Sequence, residues 1–302
     1  MKLMRLGDLD QDALRERLHA GLILETGPFR TRIVSHVPEV LYGLALLYSD
    51  FPIHDDGFCD FHVQVDRVSG PRRFFRPQIT FKFDGMEPFR PLSADHAFAS
   101  LEWGLNWCIA GHAHHYLMLH AAVLEKNGLS VILPGDPGAG KSTLTAALTL
   151  SGFRLLSDEL TLVDRDDGLL VPLARPVSLK NASIDIIRNY SADAVLGESA
   201  YDTHKGTVAH LKPTSESVFR VSEKVRPAIM VFPRWKSGVE ARLTHHSKAD
   251  AFMHAANHAF NYELLGSLGF DLNAGLIDSC ECHDFEYSSL SDALRVFLEL
   301  MQ

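Results

Sequence analysis

Apolar positions along the chain change their spacing several times, and each change marks an element. Pro28–Ser35 (PFRTRIVS) alternates as a half-buried strand does, whereas Val37–Tyr48 (VPEVLYGLALLY) has helical spacing behind a proline start. Phe61–Val68 and Arg73–Phe83 alternate again, with Ser69-Gly70-Pro71 as the turn between two paired strands. Ser93–Gly111 reads as a helix with Ser93 or Asp95 near its cap. From Tyr116 the runs become continuously apolar. Tyr116–Glu125 reads as one buried strand, Lys126-Asn127-Gly128 as a turn, and Leu129–Pro134 as the next strand. Lys141–Leu150 favours a helix, Phe153–Val163 a strand interrupted by acids, and Leu169–Leu179 one or two strands more. Arg226–Trp235 is another strand, Val239–Thr244 is expected to pair with it, and the remaining third reads as mainly helical.

This change of pattern divides the chain in two. Residues 1–115 read as a smaller α+β domain suited to recognising a substrate or partner, and residues 116–302 as an α/β domain. Short turns between neighbouring strands of the second part predict a mixed sheet and not an all-parallel one. No internal repeat or low-complexity tract interrupts either part.

Composition narrows the classes of function. The 302 residues are 46% hydrophobic and 22% charged, as in ordinary globular domains with ample core. A net charge of −9 argues against a nucleic-acid footprint over the whole surface. Arg72, Arg73, Arg76 and Arg90 cluster among Phe74, Phe75, Phe81 and Phe89, which reads as two strands with solvated arginines. No apolar stretch approaches the roughly 18–20 residues that cross a bilayer. The first ten residues, MKLMRLGDLD, carry acids and no apolar core of a secretory signal. Four cysteines in a chain of this length do not make a disulfide framework, so a cytoplasmic protein without membrane or nucleic-acid partners is expected.

One motif then carries the chemistry. Gly135-Asp136-Pro137-Gly138-Ala139-Gly140-Lys141-Ser142 fits the phosphate-loop pattern G-x-x-x-x-G-K-[ST], between a predicted strand and a predicted helix that opens on Lys141, Ser142 and Thr143. The glycines let successive backbone N–H groups face one anion, and the helix N-terminus adds its dipole. Lys141 is placed to reach the β- and γ-phosphates, and the Ser142 hydroxyl to hold Mg²⁺. Guanine recognition uses an N-K-x-D segment, and none occurs, so ATP is the expected nucleotide.

Seventeen residues past Lys141 stands Asp158, followed by Glu159. One helix, a tight turn and a returning strand fill that spacing, which would bring Asp158 near the γ-phosphate. A carboxylate there suits a phosphotransferase, where it accepts the proton of an acceptor hydroxyl. Two other readings use the same residues. A small-molecule kinase needs the same loop and acid, and an ATP-gated binding module would have Glu159 polarise a water instead.

The stretch His120–Asp164 (HAAVLEKNGLSVILPGDPGAGKSTLTAALTLSGFRLLSDELTLVD) resembles the HPr kinase/phosphorylase superfamily, in which a histidine, the loop and an acidic pair recur in this order. Arg175–Lys180 (RPVSLK), Gly206–Pro213 (GTVAHLKP) and the Arg226–Trp235 strand resemble its HPr-kinase-related kinase A group. The resemblance implies a P-loop kinase domain of the HPr kinase/PEP carboxykinase type and Mg²⁺/ATP-dependent phosphorylation of a serine in a peptide or small protein. It also implies Asp158 as general base, Glu159 as a second metal-binding acid, and His120 as a hydrogen-bond partner of Asp158 or the phosphate. Arg175 and Lys180 would be phosphate or substrate clamps, or serve plainer roles in strand and turn. Lys205, His210 and Lys212 would lie at the cleft. Presentation of the acceptor by a PqqD-like peptide chaperone, and a homo-oligomer, belong to the same expectation. The chain departs from the family in having Asp then Glu where HPr kinases have two aspartates, and it lacks the glycine-rich segment associated with dephosphorylation.

Three further groupings read as structural. His112, His114 and His115 fit an exposed helix end. His254 and His258 share a face of a surface helix but lack the Glu of H-E-x-x-H. Cys280, Cys282 and His283 form too small a set to define a metal site.

Overall fold

The computed structural model describes residues 3–70, 75–136 and 138–302. Pro137 of the glycine loop, and Arg72, Arg73 and Phe74 of the basic cluster, lie outside these residues. The chain is a mixed α/β protein with two mixed sheets and two small antiparallel ones. Among the described residues no helix is long and apolar enough to cross a membrane. Cys59, Cys108, Cys280 and Cys282 are all free and buried.

The first sheet contains β1 (Leu22–Thr26), β2 (Phe29–Ser35), β3 (Ile53–His54), β4 (Phe61–Arg67), β5 (Gln78–Phe83) and β6 (Leu92–Ser93), in the order β3-β1-β2-β4-β5-β6. Before it comes α1 (Gln11–Ala20), capped by Asp10, whose side chain accepts from Ala13 N at 2.8 Å. Between β2 and β4 runs α2 (Pro38–Leu47), and these two strands alone in the sheet pair in parallel. A long helix, α3 (Ala97–His112), then lies across β4 and β5. It approaches so closely that a Cβ on Gly104 would stand 2.1 Å from the Phe81 ring.

The remaining strands are β7 (Tyr116–Leu119), β8 (Ala121–Lys126), β9 (Leu129–Pro134), β10 (Arg154–Ser157), β11 (Thr161–Asp164), β12 (Leu170–Val171), β13 (Val177–Lys180), β14 (Ala200–Thr203), β15 (Gly206–Leu211), β16 (Ile229–Trp235), β17 (Arg242–His245) and β18 (Glu281–Tyr287). With them go α4 (Lys141–Leu150), α5 (Ala182–Tyr190), α6 (Ser215–Phe219), α7 (Lys248–Asn257), α8 (Tyr262–Leu265), α9 (Ser267–Ser279) and α10 (Leu290–Leu300). The second sheet has the order β10-β8-β9-β16-β18-β17, in which β9, β16 and β18 are parallel neighbours. Their positions at the centre explain the largely apolar run of β9, which is buried on both faces and whose one hydroxyl, on Ser130, donates to the Arg226 carbonyl. Val131, Leu144, Phe285 and Phe297 belong to one core cluster beneath α4 and α10. Another cluster runs from Leu6 to Cys108 and takes in Met118, Leu160, Leu162 and Leu173.

Four expectations change in the structure. Tyr116–Glu125 is two strands, broken at His120, and Phe153–Val163 is two strands, broken at Asp158–Leu160. The breaks are neighbours, because β8 pairs with β10 while β7 pairs with β11 in a separate sheet. Both chains thus leave one sheet for another at the same place, freeing His120, Asp158 and Glu159 from the ladder. The strand Val239–Thr244 is realised as β17 and pairs with β18, not β16, since both edges of β16 are already taken by β9 and β18. Finally, the helical last third includes β18, whose buried Cys282, Phe285 and Tyr287 are interspersed with charged residues.

Candidate active site

The glycine loop leaves the C-terminal end of β9 and enters α4. Gly138 and Gly140 have φ of 89° and 88°, left-handed values that a side chain disfavours. Gly140 has a second constraint: a Cβ there would lie 2.6 Å from the Tyr287 hydroxyl. That hydroxyl donates to the Gly140 carbonyl at 3.2 Å, and Trp235 N donates to the Ala139 carbonyl at 3.1 Å, so strands β18 and β16 brace the loop. Gly140 is the N-cap residue of α4, and no side chain caps the helix among the described residues. The first N–H groups of α4 are therefore available to an anion, with the helix dipole behind them.

Beyond the loop the chain returns through β10 to Asp158, which is 6% exposed. Lys141 Nζ donates to the Asp158 backbone carbonyl and stands 3.6 Å from its Oδ1. Ser178 N, on β13, donates to Asp158 Oδ2 at 3.1 Å, and Ser142 Oγ lies 3.5 Å from the same oxygen. Asp158 Oδ1 is buried and meets no hydrogen-bond partner among the described residues. Burial pushes the Asp158 pKa up, Lys141 opposes that shift and Glu159 adds to it. At Glu159 burial acts in the same direction, but Lys141, Lys180 and Lys205 outweigh it and hold the carboxyl below its usual range. Two adjacent acids are thereby driven apart in proton affinity.

The other residues surround these acids. Asn106 Nδ2, from α3, donates to Glu159 Oε2 at 2.7 Å, and Lys180 Nζ stands 4.0 Å from Glu159 Oε1. His120 N donates to the His258 carbonyl at 2.9 Å. Burial, with Lys141 second, lowers the His120 pKa to about 4, so the imidazole is neutral near pH 7. A cavity of about 250 Å³ is lined by Gly135, Asp136, Gly138, Gly140, Lys141, Ser142 and Thr143, together with His120, Glu159 and Lys180. The last three also line a second, larger groove of about 840 Å³, walled by Asn106, Trp107, Lys205, His258 and Phe260.

Arg175, expected as a phosphate or substrate clamp, and Lys212, expected at the cleft, are instead paired with acids of the first half of the chain. Arg175 is buried against the first half of the chain, its Nη2 2.6 Å from Glu102 Oε2 and its Nη1 2.6 Å from Asn106 Oδ1. Lys212 Nζ donates to Ser49 Oγ at 2.6 Å and pairs with Asp50 at 3.0 Å. Both cations are neutralised by acids of the first half, which sequence spacing cannot reveal. His210 is likewise buried, its ring 5.5 Å from that of Phe98. Conversely, Asn106 and Tyr287 hold the site together without belonging to any motif, and Ser178 does so from within the Arg175–Lys180 stretch without having been singled out. His254 and His258 gave a signal in their four-residue spacing, but their partner Asp136 lies far upstream.

Fold and site together define a mixed α/β protein in which a strand, a glycine loop and a helix stand beside an acidic pair, Asp158 buried and Glu159 partly so. No protein-family model matches the chain, and no curated protein matches it. Among solved structures it is similar to the Hpr(Ser) kinase/phosphatase from Coxiella burnetii, with 13% identity and a TM-score of 0.24, over 61% of this chain and 92% of that chain. The likeness is distant.

Proposed function

We propose that the chain is a cytoplasmic, Mg²⁺/ATP-dependent kinase that phosphorylates a hydroxyl, in particular a serine of a peptide or small protein. The observation that carries this reading is Asp158 Oδ1, a buried carboxylate oxygen without a partner beside the loop lysine. An orphaned acceptor at that position is costly unless a ligand or proton meets it.

The residues present suit a hard cation. Ser142, Asp158 and Glu159 offer only oxygen donors, the set Mg²⁺ prefers, and when bound the ion supplies charge neutralisation at the phosphates. Loop N–H groups and Lys141 would hold the triphosphate of ATP. Lys141 would exchange its contact with the Asp158 carbonyl for phosphate oxygens. Asp158 would accept the proton of the acceptor hydroxyl as its oxygen bonds to the γ-phosphorus and the bond to the departing ADP breaks. Neutral His120 would orient Asp158 or the phosphate, while Lys180 and Lys205 add positive charge on the acceptor side.

The larger groove favours a peptide over a small metabolite. Its apolar wall (Trp107, Ala110, Phe260) beside two lysines, Lys180 and Lys205, suits the mixed apolar and polar surface of a peptide, and α3 contributes three of its residues. In this reading residues 1–115 form a domain that helps recognise the acceptor, and a peptide chaperone would present it there.

Calorimetry with ATP and Mg²⁺, followed by transfer of label from γ-labelled ATP to a peptide fraction, tests the proposal. Asp158→Asn should retain nucleotide binding and lose transfer. Normal labelling by that variant refutes the role of Asp158, and label found only in small molecules refutes the peptide acceptor.

A further inference from the structure

Asp136, the second residue of the glycine loop, meets two histidines that the phosphotransfer reading does not use. His258 Nε2 lies 3.0 Å from Asp136 Oδ1, and His254 Nε2 lies 3.9 Å from the same oxygen. One ligand atom from each of the three side chains falls within 4.8 Å of the others. The two imidazoles stand four residues apart at the C-terminal end of α7 and stack with centroids 4.1 Å apart and planes 12° from parallel.

Their outer contacts aim both rings at Asp136. His258 Nδ1 lies 2.9 Å from the His254 carbonyl, so a proton on Nδ1 leaves the Nε2 lone pair directed at the loop. A second ring nitrogen bonded to a backbone carbonyl is the outer support that metal-binding histidines use. His254 packs edge-on to Phe232, with centroids 4.9 Å apart. Its Nδ1 is buried and meets no hydrogen-bond partner among the described residues, which leaves Nε2 as the outward-facing donor atom.

We propose that Asp136, His254 and His258 form a transition-metal site, distinct from the Mg²⁺ site at Ser142, Asp158 and Glu159. Two imidazoles and one carboxylate suit Zn²⁺ or Co²⁺, whereas Mg²⁺ prefers oxygen donors alone. Three protein ligands leave a coordination position open. Asp136 lines the loop cavity and His258 lines the larger groove, so the ion sits where these two spaces meet. Bound there, it ties the end of α7 to the glycine loop.

The test uses the full chain, freed of metal by chelation and without nucleotide, so that its outcome is independent of the kinase reading. Titration with Co²⁺ should give one saturable set of strong visible bands of four-coordinate cobalt, removed by Zn²⁺ and not by Mg²⁺. His254→Ala and His258→Ala should each weaken binding by more than the roughly 10–100-fold lost with an outer-shell partner alone. Asp136→Asn, at an exposed side chain, should do the same while keeping the native circular dichroism spectrum. His114→Ala, outside the cluster, should leave the titration unchanged. Absence of the bands in the wild-type chain, or their persistence with unchanged affinity in Asp136→Asn and His258→Ala, overturns the proposal.

Discussion

Arg175 Nη2 and Glu102 Oε2 lie 2.6 Å apart, both side chains almost wholly withdrawn from solvent. The guanidinium also reaches Asn106 Oδ1 and the Tyr48 hydroxyl, and Tyr48 donates to Glu102 Oε1 at 2.5 Å. A loop after β12 is thereby fastened to α2 and α3. Removing one partner of such a pair strands the other charge in the interior, which costs about 3–5 kcal/mol. Arg175→Ala should therefore lower the stability of the chain by that amount in urea denaturation. Arg175→Met combined with Glu102→Leu should lose less than the sum of the two single changes, because no charge is left unpaired.

Gly140 is constrained twice, and the two constraints can be separated. A left-handed φ costs a side-chain-bearing residue about 1–2 kcal/mol, and the added Cβ would also meet the Tyr287 hydroxyl. Gly140→Ala should weaken ATP binding measured by calorimetry. Tyr287→Phe removes a hydrogen bond worth about 0.5–1.5 kcal/mol to the loop, yet also removes the atom that Cβ would strike. The double variant should bind ATP better than Gly140→Ala alone, though more weakly than wild type, since the backbone strain remains.

What the sequence discloses of this site follows the range of the interaction concerned. The interval from Lys141 to Asp158 is informative because a helix and a strand have fixed rises, so a short stretch of chain can only turn back in few ways. The break at His120 is hidden because apolar residues flank a single histidine on both sides, and the break after Ser157 shows only as acids interrupting Phe153–Val163, with nothing local to say that the strand changes sheet. β18 is hidden for the opposite reason: Glu281, Asp284 and Glu286 interrupt it, and its buried residues serve two faces, Cys282 one core cluster and Phe285 and Tyr287 another, so no simple alternation appears. Arg175 is visible only as a charge, and nothing local marks Glu102 as its partner, 73 residues away. The same holds for the pairing of Asp136 with His258, 122 residues downstream.

His120 links the site to pH. Its pKa falls to about 4 in the folded chain because burial, and then Lys141, disfavour the imidazolium. Below about pH 6.5 the unfolded chain binds this proton while the folded chain does not, so the contribution is complete above pH 6.5 and is lost as pH falls to about 4. His120→Asn should therefore show a shallower decline of stability between those pH values than the wild type. Urea denaturation of both proteins across the interval measures the difference. Parallel curves would mean that His120 already titrates normally in the folded state.

Asn106 hydrogen-bonds to both the buried ion pair and the acidic pair. Its Oδ1 accepts from Arg175 and its Nδ2 donates to Glu159, each over a short distance. The amide is thus oriented from one side by a guanidinium that has no freedom to move, and it orients the Glu159 carboxylate from the other. Without that donor Oε2 loses its fixed partner, and Glu159 is free to swing toward Lys180, 4.0 Å from its other oxygen. If Glu159 helps to hold Mg²⁺, Asn106→Ala should raise the Mg²⁺ concentration needed for half-maximal phosphotransfer by roughly 10–100-fold, the usual effect of losing an outer-shell partner. Binding of ATP in the absence of Mg²⁺ should be unchanged, because Asn106 is not among the residues lining the loop cavity. A change merely in stability would move both measurements together, so a shift confined to the Mg²⁺ dependence is specific to positioning of Glu159.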